Sequence, residues 1–272
     1  MVDYSPLYGK TWWVWEVDKC GGVQDIIDTC KATGARGVVV KAFDGVNSWP
    51  QWEQSVDTLK AAGLVVGAWG YLYPANAKQT AQAALVALEK ADYLIIDAES
   101  EFEAPGTAEA ARQLGQLIRA KVPEALIGLT TFALPNDHAS FPYDVFMSWT
   151  DFIEPQVYWA DAQMSASIML NQSIDQLQKL SKNPIYPVAQ GYPQAMPAEI
   201  AEFSAVAVER WIGGVSIWDI QSSTQPLKDS VKLLETYQPK KAVQKPVDKM
   251  WTTQEFNTAI DAAIKTLEGY KK

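Results

Sequence analysis

The chain has 272 residues, 48% of them hydrophobic and 20% charged, with a formal net charge of −9. That length allows one large core or two small ones. The acidic balance excludes a nucleic-acid partner, which needs a basic face to displace phosphate counterions, and no apolar run approaches the roughly 20 residues of a membrane span.

Strand-like and helix-like segments alternate from the start. Thr11–Asp18 reads as a strand, Val23–Thr33 as a helix ending at Gly34, Gly37–Lys41 as a Val-rich strand and Ser55–Ala62 as a helix stopped by Gly63. Leu64–Tyr73, the Ala-rich helix Ala77–Ala91, the strand Tyr93–Glu99 and the helix Thr107–Lys121 follow. The second half keeps the rhythm: strand Leu126–Thr131, a short helical stretch at Tyr143–Trp149, strand Phe152–Tyr158, helix Ser173–Leu180, strand Ile185–Gln190, helix Pro197–Glu209, strand Gly214–Trp218 and helix Leu227–Thr236. About eight β/α units with continuous apolar strands predict an α/β chain folded as a single (β/α)8 TIM-type barrel over 8–237, close to the roughly 250 residues such barrels take. A doubly wound open sheet is the competitor, but no Gly-rich phosphate loop follows any strand.

The tail reads differently. Residues 238–250 form a basic, proline-punctuated linker, and 251–272 a C-terminal helix opened by the capping-box pattern Thr252-Thr253-Gln254-Glu255. That helix either docks on the barrel or connects to a partner. The N-terminal stretch lacks a basic region and an apolar signal core, so Sec export is not expected and the chain is cytoplasmic at synthesis.

The chemistry is carboxylate chemistry. Cys20 and Cys30 form no CxxC or Cys/His cluster, and His138 is the single histidine. Ser-His-Asp and Cys-His catalysis and most zinc sites are thereby removed, and neither a metal nor a cofactor is expected. Asp97-Ala98-Glu99 closes the apolar run Tyr93-Leu94-Ile95-Ile96, and alternation along a strand puts Asp97 and Glu99 on one side with Ile95. Buried carboxylates cost several kcal/mol unless paired or used, so the pair reads either as acid–base machinery or as a helix-capping Asp beside a solvated Glu. Active sites of such barrels lie at the C-terminal strand ends. There the sequence offers Glu16 and Asp18; Lys41 and Asp44; Trp69, Tyr71 and Tyr73; Asp97 and Glu99; Gln156, Tyr158 and Asp161; Gln190 and Tyr192; and Trp218 and Asp219. Together they make a polar cup lined with rings. Most of the 11 Trp and 11 Tyr read as core packing; carbohydrate is the second reading, because Trp offers a platform for the apolar face of a sugar ring.

Three of these strand ends match a known pattern. Val38-Val39-Val40-Lys41-Ala42-Phe43-Asp44-Gly45 resembles the second-strand "IKATEG" of family-25 glycoside hydrolases, the muramidase-type lysozymes. Val66-Gly67-Ala68-Trp69-Gly70-Tyr71-Leu72-Tyr73-Pro74 resembles their third-strand "GAYHF" with its trailing proline, and Ile96-Asp97-Ala98-Glu99 falls where that family carries D-x-E. The likeness covers about the first 100 residues; beyond them Trp218 and Gln221 are similar to a W-Q-Y on the last strand. The resemblance implies Glu99 as general acid and Asp97 as its partner, acting as nucleophile or orienting a substrate acetamido group. It also implies Lys41 paired with a nearby carboxylate, to keep that carboxylate ionised or as a structural salt bridge.

The family's first strand carries G-x-D-V-S, whereas this chain reads Trp13-Val14-Trp15-Glu16-Val17-Asp18, so Glu16 or Asp18 has to complete the catalytic set. The family's His after the third-strand Tyr is absent, and the last strand gives W-D-I-Q. The leading expectation is a glycosidase of β-linked amino-sugar polymers, peptidoglycan first, as in a phage- or prophage-type lysin that reaches the cell wall without Sec export. A catalytically silent glycan-binding or attachment barrel, and a glycosidase of α-glycan or chitin type, are the alternatives.

Overall fold

The strands are apolar on both faces because each is covered twice, by the barrel interior on one side and by a helix on the other. A computed structural model describes residues 2–237; the predicted linker 238–250 and final helix 251–272 lie outside the described residues. In chain order the elements are β1 (Gly9–Val14), α1 (Val23–Thr33), β2 (Gly37–Asp44), β3 (Asn47–Ser48), α2 (Pro50–Ala61), β4 (Val65–Tyr71), α3 (Ala77–Leu88) and β5 (Tyr93–Asp97). They continue with α4 (Thr107–Arg119), β6 (Ile127–Phe132), α5 (Tyr143–Met147), β7 (Phe152–Val157), α6 (Ala166–Leu180), β8 (Val188–Gln190), α7 (Pro197–Glu209), β9 (Gly214–Trp218) and α8 (Gln225–Leu233).

β1 pairs in parallel with β2 (Thr11 opposite Gly37) and with β9 (Thr11 opposite Ser216), which closes the sheet. The result is an eight-stranded parallel (β/α)8 barrel of β1, β2 and β4–β9, with β3 as a two-residue antiparallel return on the end of β2. Among the described residues no helix is long and apolar enough to cross a membrane.

Alternation divides the core into two layers. Trp12, Val38, Val40, Leu94, Ile96, Ile153 and Ile217 face the helices. Trp13, Val39, Trp69, Tyr93, Ile95, Phe152 and Val188 face the lumen, with Leu7, Leu126 and Tyr186 in the same cluster at the N-terminal ends of β1, β6 and β8. Two glycines make room for the lumen rings. A Cβ on Gly67 would stand 2.5 Å from the Tyr93 ring, and one on Gly128 would stand 2.2 Å from Phe152; the two rings meet edge to face at 6.1 Å.

One strand breaks the alternation. β2 runs in register with β4 through Lys41 opposite Trp69, but the next pair is Phe43 opposite Gly70, so Ala42 is an extra residue, a β-bulge. Ala42 and Phe43 therefore both pack toward the helices. Asp44 returns to the side of Lys41, although residues three apart on a regular strand point oppositely.

Several boundaries differ from the sequence reading, each for a local reason. β1 stops at Val14 instead of running to Asp18, because the amides of Cys20 and Gly22 turn back onto Glu16 and Val17 carbonyls through Gly21 at φ +90°. β8 begins at Val188 rather than Ile185, since Pro184 and Pro187 have no N–H to give the ladder and leave Ile185 a single bridge to Ile153. α6 begins at Ala166 instead of Ser173, capped by the Ser165 hydroxyl, which accepts from the Ile168 amide.

Gly128→Ala places a methyl group into the Phe152 ring with rigid strands on both sides. We expect it to destabilise the fold by about 1–3 kcal/mol, read as a lower urea midpoint at an unchanged slope; an unmoved midpoint would mean that the lumen is not packed as described.

Candidate active site

The C-terminal ends of β1, β5, β6, β7 and β9 surround a cavity of about 340 Å3, lined by Trp13, Asp97, Glu99, Thr130, Gln156 and Trp218, with Tyr158, Asp161 and Tyr192 from the loops after β7 and β8. This is at the small end of the roughly 300–1,000 Å3 of small-molecule sites.

Asp97 follows Tyr93 and Ile95 into the lumen and is 5% exposed. Glu99 lies just past the strand, before a 3-10 turn at Ser100–Phe102, and stays on the same side. The Gln156 amide donates both its protons to this pair, at 3.2 Å to Asp97 Oδ1 and 2.8 Å to Glu99 Oε1. Burial pushes the Asp97 carboxyl well above the usual carboxylate range; the charge of Glu99 and a hydrogen bond to it push the same way, while Lys41 pulls more weakly downward. The pair therefore holds a proton at a pH at which a solvated carboxyl would have lost one. Tyr158 is also raised, first by burial and then by Asp97, and remains a phenol facing the cavity.

A triangle of indoles underlies the cavity, Trp13 and Trp218 lining it and Trp69 packed beneath them. Trp13, Trp69 and Trp218 meet edge to face with centroids 5.3, 5.5 and 5.4 Å apart, an arrangement that fits the opposed charge of ring edge and ring face. Trp69 donates to the Val14 carbonyl at 3.0 Å, and Trp13 to Ser216 Oγ at 2.9 Å. Ser216 in turn donates to Glu154 Oε2 at 2.7 Å. Glu154 is a carboxyl sealed in the lumen, 3% exposed, and burial pushes it up to about 8 although the hydrogen bonds of Ser216 and Trp13 pull it down.

The other sequence-predicted residues fall into three groups. Gln156, Tyr158, Asp161, Tyr192 and Trp218 line the cavity with Asp97 and Glu99. Tyr192 donates to Asp161 Oδ2 at 2.5 Å. Gln190 is fully buried; it accepts from the Ala160 amide at 2.8 Å and donates to Asp161 Oδ1 at 3.3 Å, so it holds the loop that carries Asp161 and does not line the cavity. A second set sits outside the cavity on the β2–β4 side. Lys41 pairs with Asp44 at 2.6 Å, and Tyr71 donates to Glu101 Oε2 at 2.8 Å.

The third group is displaced from where the sequence put it. Trp69 is 2% exposed and supports the floor from below. Asp219, joined to Trp218 by a cis peptide, is fully buried and accepts from the Ser222 amide at 3.2 Å, so it shapes the turn after β9 and does not reach the cavity. Glu16 and Asp18 do not share a strand face, because β1 has already ended. Glu16 pairs with Lys19, Asp18 opens an exposed 3-10 turn, and neither lines the cavity.

The sequence reading did not single out Trp13, Thr130, Glu154 or Glu101. Glu154 carried a signal nonetheless, as a lone acid inside the apolar run Phe152-Ile153-Glu154-Pro155. Among the described residues no group of three or more His, Cys, Asp or Glu is arranged to hold a metal.

The fold is that of a class of barrels to which many glycoside hydrolases belong. The chain is similar to active domain 2 of a chitinase from Pyrococcus furiosus (TM-score 0.60, 13% identity, 84% of this chain and 96% of that one). It is similar also to a class V chitinase from Pseudomonas fluorescens Pf-5 (TM-score 0.61, 8% identity, 83% and 98%). A third is a β-glucuronidase from an uncultured Clostridium (TM-score 0.60, 10% identity), of which 84% of this chain covers 50%. No protein-family model and no curated protein matches the chain. At these identities the likeness is one of fold.

Glu154 makes the fold pH-sensitive. The folded chain keeps the Glu154 proton up to about 8, whereas the unfolded chain loses it near 4.5, so stability falls as the pH rises through that interval. Glu154→Gln keeps an acceptor for Ser216 and removes the titration. Relative to wild type it should gain stability between pH 5 and 8, by a margin on the order of 3 kcal/mol, measured as the difference in Tm across the series; a constant difference would sink this assignment.

Proposed function

We propose that the chain is a glycoside hydrolase acting on a β-linked amino-sugar polymer, with Glu99 as the general acid that protonates the glycosidic oxygen. The observation that carries this is the pair of carboxyls held by the single Gln156 amide at the bottom of a ring-walled cavity. The proton that this pair retains goes to the leaving oxygen as the C1–O bond breaks. Gln156, which donates to both carboxyls, holds Glu99 in place and stabilises the charge it acquires.

Both carboxyls rise from one strand end and share one donor, so neither faces the other across a bound sugar ring. The attack on C1 from the far face then falls to the substrate's own acetamido oxygen, oriented by Asp97 and Tyr158, followed by water deprotonated by Glu99. An N-acetylated sugar fits this division of labour. Peptidoglycan is the first candidate on the strength of the family-25 resemblance of β2, β4 and β5, with action at a cell wall as the corresponding place of work.

One observation favours a second reading, a silent glycan-binding barrel: Glu16 and Asp18, one of which the resemblance requires at the cup, both lie outside the cavity.

The two readings part on turnover. Wild type and Glu99→Gln would be incubated with labelled peptidoglycan and a panel of oligosaccharides, and reducing ends counted. We expect release by wild type, a loss of about 10²–10⁴-fold in kcat for Glu99→Gln, and binding retained by both. No turnover on any glycan with binding intact would overturn the hydrolase reading in favour of the silent barrel.

The pH–rate profile gives a further check. Activity should fall on the alkaline side as the pair gives up its proton. Gln156→Leu removes a donor to the charged form and should move that limb to higher pH; a limb unmoved or shifted downward would separate Gln156 from the pair's titration.

A further inference from the structure

The barrel mouth has a second lobe. The cavity reaches the loops after β7 and β8, where Asp161 and Tyr192 stand. Across the closed sheet, β2 and β4 end in a separate cluster built around the Lys41 ammonium. That group is almost fully buried, with 5% of its side chain exposed, and among the described residues it bonds to a single carboxylate, Asp44 at 2.6 Å. Three indole faces also surround it, with centroids of Trp49 at 4.4 Å, Trp69 at 4.8 Å and Trp15 at 5.7 Å, and its charge reaches Asp97. An ammonium held this way pins three rings at once, because each face attracts it only over a short range. Asp44 is there to close the cage only because of the bulge at Ala42.

The rings pinned in this way do not finish inside the fold. Trp15, just past β1, is 40% exposed, and Tyr73, just past β4, is 44% exposed. Tyr73 packs 5.3 Å from Tyr71, and its phenol is pushed up first by burial and then by the nearby Asp44 carboxylate. Trp15 in turn lies 6.0 Å from Trp218, the ring that forms one side of the cavity. A continuous path of aromatic faces and a half-open carboxylate thus runs from the candidate catalytic pair to the rim. Folding alone gives no reason to fix large rings at the surface with a buried charge.

We propose that Trp15, Asp44 and Tyr73 form a second carbohydrate subsite, which takes a neighbouring pyranose of the same chain on the side of the cavity opposite Asp161 and Tyr192. Lys41 is its positioning residue. The apolar C–H face of the sugar stacks on Trp15, and its hydroxyls reach the Asp44 carboxylate and the Tyr73 phenol. This rests on the reading of the cavity as a glycosidase site and adds that the substrate is gripped on both sides of the scissile bond, so that the enzyme cuts within a polymer.

The test is length dependence. β-1,4-linked N-acetylglucosamine oligomers of two to six units and peptidoglycan strands would be titrated calorimetrically into wild type, Trp15→Ala, Tyr73→Ala and Lys41→Met, with turnover recorded in parallel. Wild-type affinity should rise with length until both lobes are filled. In each variant that rise should disappear, a loss of about tenfold on the longest ligand (about 1.4 kcal/mol), whereas Trp15→Phe, which keeps a ring, should retain most of it. Melting temperatures measured alongside identify a variant that has merely unfolded, and Trp15→Phe against Trp15→Ala at the exposed position then decides.

Turnover by wild type with the same length dependence in Trp15→Ala and Tyr73→Ala overturns the subsite and leaves the hydrolase. Binding whose length dependence is lost in the variants, without turnover, overturns the hydrolase and leaves the subsite. No binding of any oligomer or strand overturns both.

Discussion

Eight parallel strands closed on themselves turn one side of every strand toward a narrow lumen, which has to be filled by side chains or left as voids that cost dispersion contacts. The lower half of this lumen is filled by rings. Tyr93 and Phe152 occupy the space that Gly67 and Gly128 vacate, and Tyr186 and Leu7 sit at the bottom. Nothing further is needed below, so the variation from strand to strand is concentrated at the top. There the same inward positions carry Lys41, Asp97, Gln156 and Trp218, and the candidate site is the continuation of the core by other residue types.

Polar groups that point inward obey the same constraint and meet it in three ways. Glu154 is sealed, neutral by burial, and satisfied by a hydroxyl that hands on the indole hydrogen bond of Trp13. Asp97 is sealed but leans on Glu99 and Gln156, so its neutrality is shared with a group that reaches the cavity. Lys41 is paired with Asp44 and otherwise packed among ring faces. Burial is common to all three, and the neighbours decide whether a group becomes structural, reactive or positioning.

Much of this was legible in the sequence, and what was not has physical causes. The apolar runs at Tyr93–Asp97 and Gly214–Trp218 and the helices Val23–Thr33 and Pro197–Glu209 stand out because strand and helix periods differ so plainly. The Asp97–Glu99 pair was readable because alternation alone puts both on one side. Glu16 and Asp18 misled for the same reason: alternation was applied to residues that had already left the strand at Trp15. Asp219 could not be placed from the sequence, because the backbone at the end of β9 turns it away from Trp218. The clustering of Lys41 with Asp44 depends on one unpaired residue, which no period reveals. Gln156 was visible as a strand-end residue, but its two simultaneous hydrogen bonds exist only once β5 and β7 are set on either side of β6.

The bulge in β2 shows how such a mouth can change. Ala42 shifts the strand's inside and outside by one position from Phe43 onward, so Phe43 and Asp44 exchange the faces that a regular strand would assign them. A single inserted codon is therefore a coarse evolutionary lever. Without altering any existing side chain, it can withdraw a large apolar residue from a barrel's upper rim and present the charged residue behind it. Lineages of barrels that differ by one residue near a strand end would then differ in the chemistry of the mouth while retaining the same floor.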